Sequence, residues 1–216
     1  MMTRMKLGMF DDQRNVPFSN IPYEVNSCEE HSDFSVEVAK KSLVLLKNEN
    51  NLLPLDKSKL KSIAVIGPNA DSRAALQGNY YGTSDRYVTV LEGIRAAVGS
   101  DTRVYYSEGC HLFRDRSSGL AEPRGRMAEA LAVAERSDVV VMCLGLDETI
   151  EGEEGDTGNE YGSGDKMHLN LPGLQQELLE AVFATGKPIV LVLLSGSALA
   201  VTWADQHVPA IIQAWY

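Results

Sequence analysis

DVVVMCLG, residues 138–145, runs six apolar side chains together, Val139 to Leu144, between an aspartate and a glycine. A strand with one wet face alternates apolar and polar residues. A run without alternation needs cover on both faces, as in a parallel sheet between helices. Working outward, IAVIGPNA (63–70), RVYYSEG (103–109), PIVLVLLSG (188–196) and AIIQAWY (210–216) are further runs of strand length, rich in Val, Ile and Tyr. Between them lie helical patterns. VTVLEGIRAAVG (88–99) and RMAEALAVAERS (126–137) are two. PGLQQELLEAVFATG (172–186) is a third, with Pro172 in its first turn, Leu174, Leu178 and Val182 on one stripe and Gly186 at its end. SALAVTWADQ (197–206) is shorter. Strand and helix in alternation predict an α/β fold: a three-layer α/β/α sandwich with a mostly parallel sheet of about five or six strands.

Upstream, DFSVEVAKKSLVLLKNE (33–49) places Val36, Ala39, Leu43 and Leu46 at helical spacing, with Asp33 or Ser35 as N-cap. Residues 1–32 lack sustained periodicity and read as a segment lying over a surface. The chain has 216 residues, 44% hydrophobic and 23% charged, with a net charge of −10. That balance suits one large domain and opposes binding to nucleic acid or an anionic membrane, which needs basic clusters. No apolar run approaches the ~20 residues of a membrane span. The opening stretch lacks the apolar centre of a signal peptide, which points to a cytoplasmic location. Cys28, Cys110 and Cys143 are too scattered for a disulfide framework, and Cys143 reads as a reduced core thiol. The sandwich is expected over 33–216. The edges, a tail-like start and a stop at a strand end, predict a fragment.

Ligands of open parallel sheets gather beyond the carboxyl ends of the strands. GPNAD (67–71) follows one strand but lacks G-x-G-x-x-G, so it reads as a turn with Asp71 or Ser72 as a cap rather than a nucleotide site. GNYYGTSD (78–85) offers tyrosines that either stack on a sugar ring or pack on neighbouring loops. LLSGSALA departs from G-x-S-x-G; Ser197 suits a helix cap better than a nucleophile, and His207 has no evident partner. CEEH (28–31) and CH (110–111) have no second ligand pair, so no metal site is expected. The loop after Gly145 is different. Asp147 to Asp165 holds eight carboxylates and no basic side chain. Such a loop is solvated, calcium-binding or catalytic. Its spacing does not match the EF-hand pattern. A carboxyl crowded by others has a raised pKa, which suits a general acid.

The order of motifs is specific where each alone is weak. KSLVLLKNENNLLPL, IAVIGPNAD, GNYYGT…TVLEGI, YSEGC, GLDETIEGEEGD, LNLPGLQQELLEAV, KPIVLVLLSGSAL…W and AIIQAWY follow one another. In this the chain resembles the second domain of glycoside hydrolase family 3, which holds β-glucosidases and β-xylosidases, from about Asp33 to Tyr216. RMKLGMFD and VPFSNIPYEV in residues 1–32 resemble the last helix of that family's (β/α)₈ barrel and the interdomain linker.

The resemblance implies an exo-acting, retaining β-glycosidase, β-glucosidase first and β-xylosidase second, with a terminal β-linked sugar of a glycoside or oligosaccharide as substrate. An aspartate nucleophile would lie on the barrel, the missing partner domain of the same polypeptide, leaving this chain inactive by itself. The family pattern G-L-D-x-x-x-E-x-E-G-x-D-R lays Gly145, Leu146, Asp147, Glu151, Glu153 and Asp156 on matching positions. It puts Glu153 at the acid/base, with Glu151 and Glu154 as alternatives. Glu154 replaces the usual Gly, and Thr157 stands where Arg is common. Asn79, Tyr80, Tyr81 and Asp156 are implied as substrate contacts. No metal or organic cofactor is implied, and an oligomer is compatible. The rivals are a non-catalytic carbohydrate-binding or accessory domain and a flavodoxin-like regulator, the latter marked by stabilisation with flavin or nucleotide.

Overall fold

The computed structural model describes residues 1–78, 81–116, 118–151 and 166–215. They divide into two compact units, Met1–Lys41 and Ser42–Tyr216. In the first, a short helix α1 (Met2–Lys6) is followed by three 3₁₀ turns and helix α2 (Glu29–Ser42). None of these elements has a buried residue, and Met5, Phe10, Phe18 and Ile21 are exposed.

The expected helix over 33–49 is two elements. α2 starts at Glu29, so Asp33 and Ser35 lie inside it rather than capping it, and it ends at Ser42. Strand β1 (Val44–Asn48) follows. Leucine tolerates either state, and tertiary pairing decides. β1 finds an antiparallel partner in β6 (Ala210–Gln213), with Val44 opposite Gln213 and Asn48 opposite Ala210. The other elements follow the sequence pattern with shorter ends. They are β2 (Ser62–Ile66), α3 (Val90–Val98), β3 (Arg103–Ser107), α4 (Met127–Glu135), β4 (Val139–Gly145), α5 (Gln175–Phe183), β5 (Ile189–Leu194) and α6 (Thr202–His207). Pro172 lies ahead of α5, its carbonyl accepting from the Gln175 N–H at 3.3 Å. Ser197 caps nothing, because α6 begins at Thr202 after Val201.

The strand order is β1-β6-β5-β4-β2-β3, and every pair except β1 with β6 is parallel. Alternate side chains of strands β2 to β6 feed two cores, while the apolar side chains of β1 stay exposed. Ala64, Ile66, Met142, Leu144, Leu191 and Leu193 pack with α4, α5 and α6. Ile63, Val65, Val141 and Cys143 face the other way, toward Leu91 and Ile94 of α3 and the leucines of residues 52–60. Three layers result, and all seven residues of β4 are buried. α3 is held at its start by a capping box, in which the Thr89 hydroxyl accepts from the Glu92 N–H and the Glu92 carboxylate accepts from the Thr89 N–H.

All three cysteines are free. Burial pushes the Cys110 and Cys143 thiols up to about 12. A thiol must ionise and be reached to react. At about pH 8, Ellman's reagent should therefore modify only the half-buried Cys28 in the native chain, and all three thiols after denaturation. Rapid loss of two native thiols would contradict this packing.

Candidate functional site

From β2 the chain goes to β3 on one side and then crosses back to β4 on the other. The switch point therefore lies between the carboxyl ends of β2 and β4, where open sheets take ligands. The glycine that opens each connection is required there. A Cβ on Gly67 would sit 2.1 Å from the Cys143 carbonyl oxygen, and one on Gly145 1.9 Å from that of Leu194. Asn69, 1% exposed, fills the crevice and donates its amide to the Leu146 carbonyl at 2.8 Å. The oxygen of that side chain, Oδ1, has no partner among the described residues. Ser72 accepts from the Ala75 N–H, while Asp71 accepts from the Thr89 hydroxyl.

Beyond Gly145 the acidic segment begins as a packed stem. Leu146 and Ile150 are fully buried against Leu112, Phe113 and Leu199. Asp147 accepts from the Thr149 N–H at 2.9 Å and from its hydroxyl at 2.6 Å. Burial, with the Asp147 charge adding to it, raises the carboxyl of Glu148 above the ordinary range. Glu151 accepts from the Gly196 N–H at 3.0 Å, tying the stem to the turn after β5. Glu153, Glu154 and Asp156 lie outside the described residues, as do Asn79 and Tyr80. Tyr81 is exposed, which leaves a ring available for stacking. Its loop is closed by Tyr87, whose hydroxyl accepts from the Gln77 amide and the Ser84 N–H.

At this end the sequence reading missed Gln175, and it weighed His111 only as half of a CH pair for a metal. Gln175 is fully buried. Its Oε1 accepts from the Gly145 N–H at 2.7 Å, and its Nε2 donates to the Gly145 carbonyl at 2.8 Å and the Leu112 carbonyl at 2.7 Å. His111 accepts at Nδ1 from the N–H groups of Phe113 and Arg114. Burial and then the Arg114 charge hold its pKa below the ordinary value. The ring is a neutral Nε2–H tautomer in that arrangement.

Below the ordinary value of 6.5, the unfolded chain protonates His111 while the folded chain resists until lower pH. Its contribution to stability is therefore present above that value and lost as pH falls through the window beneath it. Urea unfolding at several pH values should show a drop on acidification below about pH 6.5 that is shallower in His111→Gln. Equal slopes in the two proteins would contradict the assignment.

Among the described residues, no three His, Cys, Asp or Glu side chains gather to hold a metal. Ser195 is buried, and its hydroxyl accepts from Gln213. His207, without a partner in the sequence reading, stacks on Trp203 at 4.4 Å between ring centroids. Among the described residues, the site offers a packed stem that leaves the centre of the sheet and carries Asp147, Glu148 and Glu151.

Comparison with known proteins follows the same lines. Residues 43–216 match the sequence model described as the glycosyl hydrolase family 3 C-terminal domain. A β-xylosidase of Formosa agariphila is 36% identical over 99% of this chain, which covers 28% of that enzyme. A periplasmic β-glucosidase of Salmonella typhimurium is 32% identical over 97% of the chain, again with 28% of its own length covered. Among solved structures, the exo-β-xylosidase XlnD, in complex with a xylobiose aziridine probe, superposes with a TM-score of 0.82 at 29% identity over 99% of the chain and 25% of its own. The β-glucosidase EmGH1 of Erythrobacter marinus does so at 0.77, with 33% identity over 97% of this chain and 29% of its own. The chain thus spans little more than a quarter of the length of the relatives it matches.

Proposed function

Because the chain belongs to glycosyl hydrolase family 3, as its C-terminal domain, we propose that it supplies the general acid/base of an exo-acting retaining β-glycosidase. The substrate is a glycoside or oligosaccharide ending in a β-linked glucose or xylose. Glu153 protonates the leaving oxygen, then deprotonates the water that releases the sugar. The observation that carries this reading is the packed stem, Gly145–Glu151, which leaves the carboxyl end of the central strand and in sequence runs directly into the acidic segment. Glu151 is already engaged by Gly196, which suits a tether better than a proton donor.

Retaining hydrolysis uses two carboxyl groups ~5–5.5 Å apart across the scissile bond. In this reading the second is an aspartate on the barrel of the same polypeptide, and Tyr81 with Asn79 and Tyr80 walls the sugar. The intact polypeptide, given nitrophenyl β-glucoside and β-xyloside, should release a sugar that is β when first formed, as followed by proton NMR. The 216-residue chain alone should give little or no turnover. An α product, or turnover by the isolated chain at the rate of the intact enzyme, would refute the reading.

A further inference from the structure

A segment that carries an acid must leave the sheet in a fixed direction, or the proton arrives in the wrong place. Gly145 is where this segment leaves. It is the last residue of β4, and its φ of +144 with Leu194 pressed against it leaves no room for a side chain. Gln175 is where the chain, having passed through the acidic segment, enters α5. The two ends meet directly. One buried amide accepts from the N–H of Gly145 and donates to its carbonyl, so both backbone groups of the exit residue are held by the residue that closes the segment. The second amide hydrogen goes to Leu112, whose side chain packs with Leu146 and Ile150 of the stem. Every donor and acceptor position of the amide in use here is spent on the neck. A residue serving only the helix would have no reason to aim all three bonds away from it.

We propose that Gln175 is a positioning residue for the reaction, setting the direction in which the stem carries the acid toward the leaving oxygen. This rests on the reading under Proposed function. Displacement of a reacting group by about an ångström costs up to ~100-fold in rate. The cost falls on the step that needs the proton.

The test compares an alkyl β-glycoside, which needs protonation, with a dinitrophenyl β-glycoside, which does not. It uses the intact enzyme carrying Gln175→Met, Gln175→Glu, Val182→Ala or Glu153→Ala. Gln175→Met removes all three bonds; Gln175→Glu keeps only the acceptor for Gly145. Val182→Ala trims the core under the same helix without touching the neck. Both Gln175 variants should lose about 10- to 100-fold in kcat/KM on the alkyl substrate and less than about 3-fold on the dinitrophenyl one. Val182→Ala should treat the two substrates alike. Equal losses on both substrates in the Gln175 variants, with Glu153→Ala selective, would overturn the positioning role and leave the acid assignment intact. Selective losses in the Gln175 variants, with none in Glu153→Ala, would support the neck and move the acid to another carboxylate of the segment. If Gln175→Met does not fold, Gln175→Glu carries the comparison.

Discussion

Glu153→Ala in the intact enzyme should lose roughly 10²–10⁴-fold in kcat/KM on a β-glycoside with a poor leaving group, the span usual for general acid–base catalysis. The same variant should retain far more activity on a dinitrophenyl glycoside, whose phenolate departs without a proton. For that substrate the slow step becomes release of the covalent sugar, because water needs the same carboxylate as a base. Azide needs no base. It should restore turnover of the dinitrophenyl substrate and yield a β-glycosyl azide. Glu151→Ala and Glu154→Ala are the controls. The first removes the bond to Gly196 and should weaken the stem, but azide should not rescue it. Full activity of Glu153→Ala on a poor leaving group would remove Glu153 from the mechanism.

The second large effect is on stability. Gly145→Ala should destabilise the chain by at least about 3 kcal/mol, read from the urea midpoint at unchanged slope. Three atoms of Leu194 lie within 3.0 Å of where the new methyl must go, and all are backbone. The methyl cannot be met by turning a side chain. β4 must move from β5 just where Leu144 faces Leu193 and Gly145 faces Leu194, and the Gln175 clamp must open with it. Gly99→Ala separates the causes. Gly99 also has a positive φ, +65, but open space around it, so its cost should be the backbone strain alone, on the order of 1–2 kcal/mol. Similar losses at the two positions would show that backbone angle, not the contact with Leu194, sets the penalty.

The sheet was legible because parallel strands buried on both faces write themselves as apolar runs. Val139–Leu144 and Ile189–Leu194 need no other explanation. β1 was not legible. Leu43 and Leu46 satisfy a helical stripe as well as a strand, and only the distant edge of β6 decides between them. The site divides the same way. Its place after β4 followed from topology, and the acid candidates from charge and family pattern. Gln175 stood in a quoted motif, LPGLQ, yet carried no signal of its role, because a buried amide serving backbone groups 30 and 63 residues away leaves no local periodicity. His111 is similar. Its pairing with two N–H groups is a property of a turn, not of spacing.

The pairing of β1 with β6 also has a consequence for synthesis. Residues 44–48 leave the ribosome well before residues 210–213, and at 5–20 residues per second the interval is on the order of ten seconds or more. Throughout it the early strand has no sheet edge to join, and its backbone N–H and C=O groups stay open to pairing with the strands of other nascent chains. A ribosome-associated chaperone that shields that edge would have to stay until the last strand arrives.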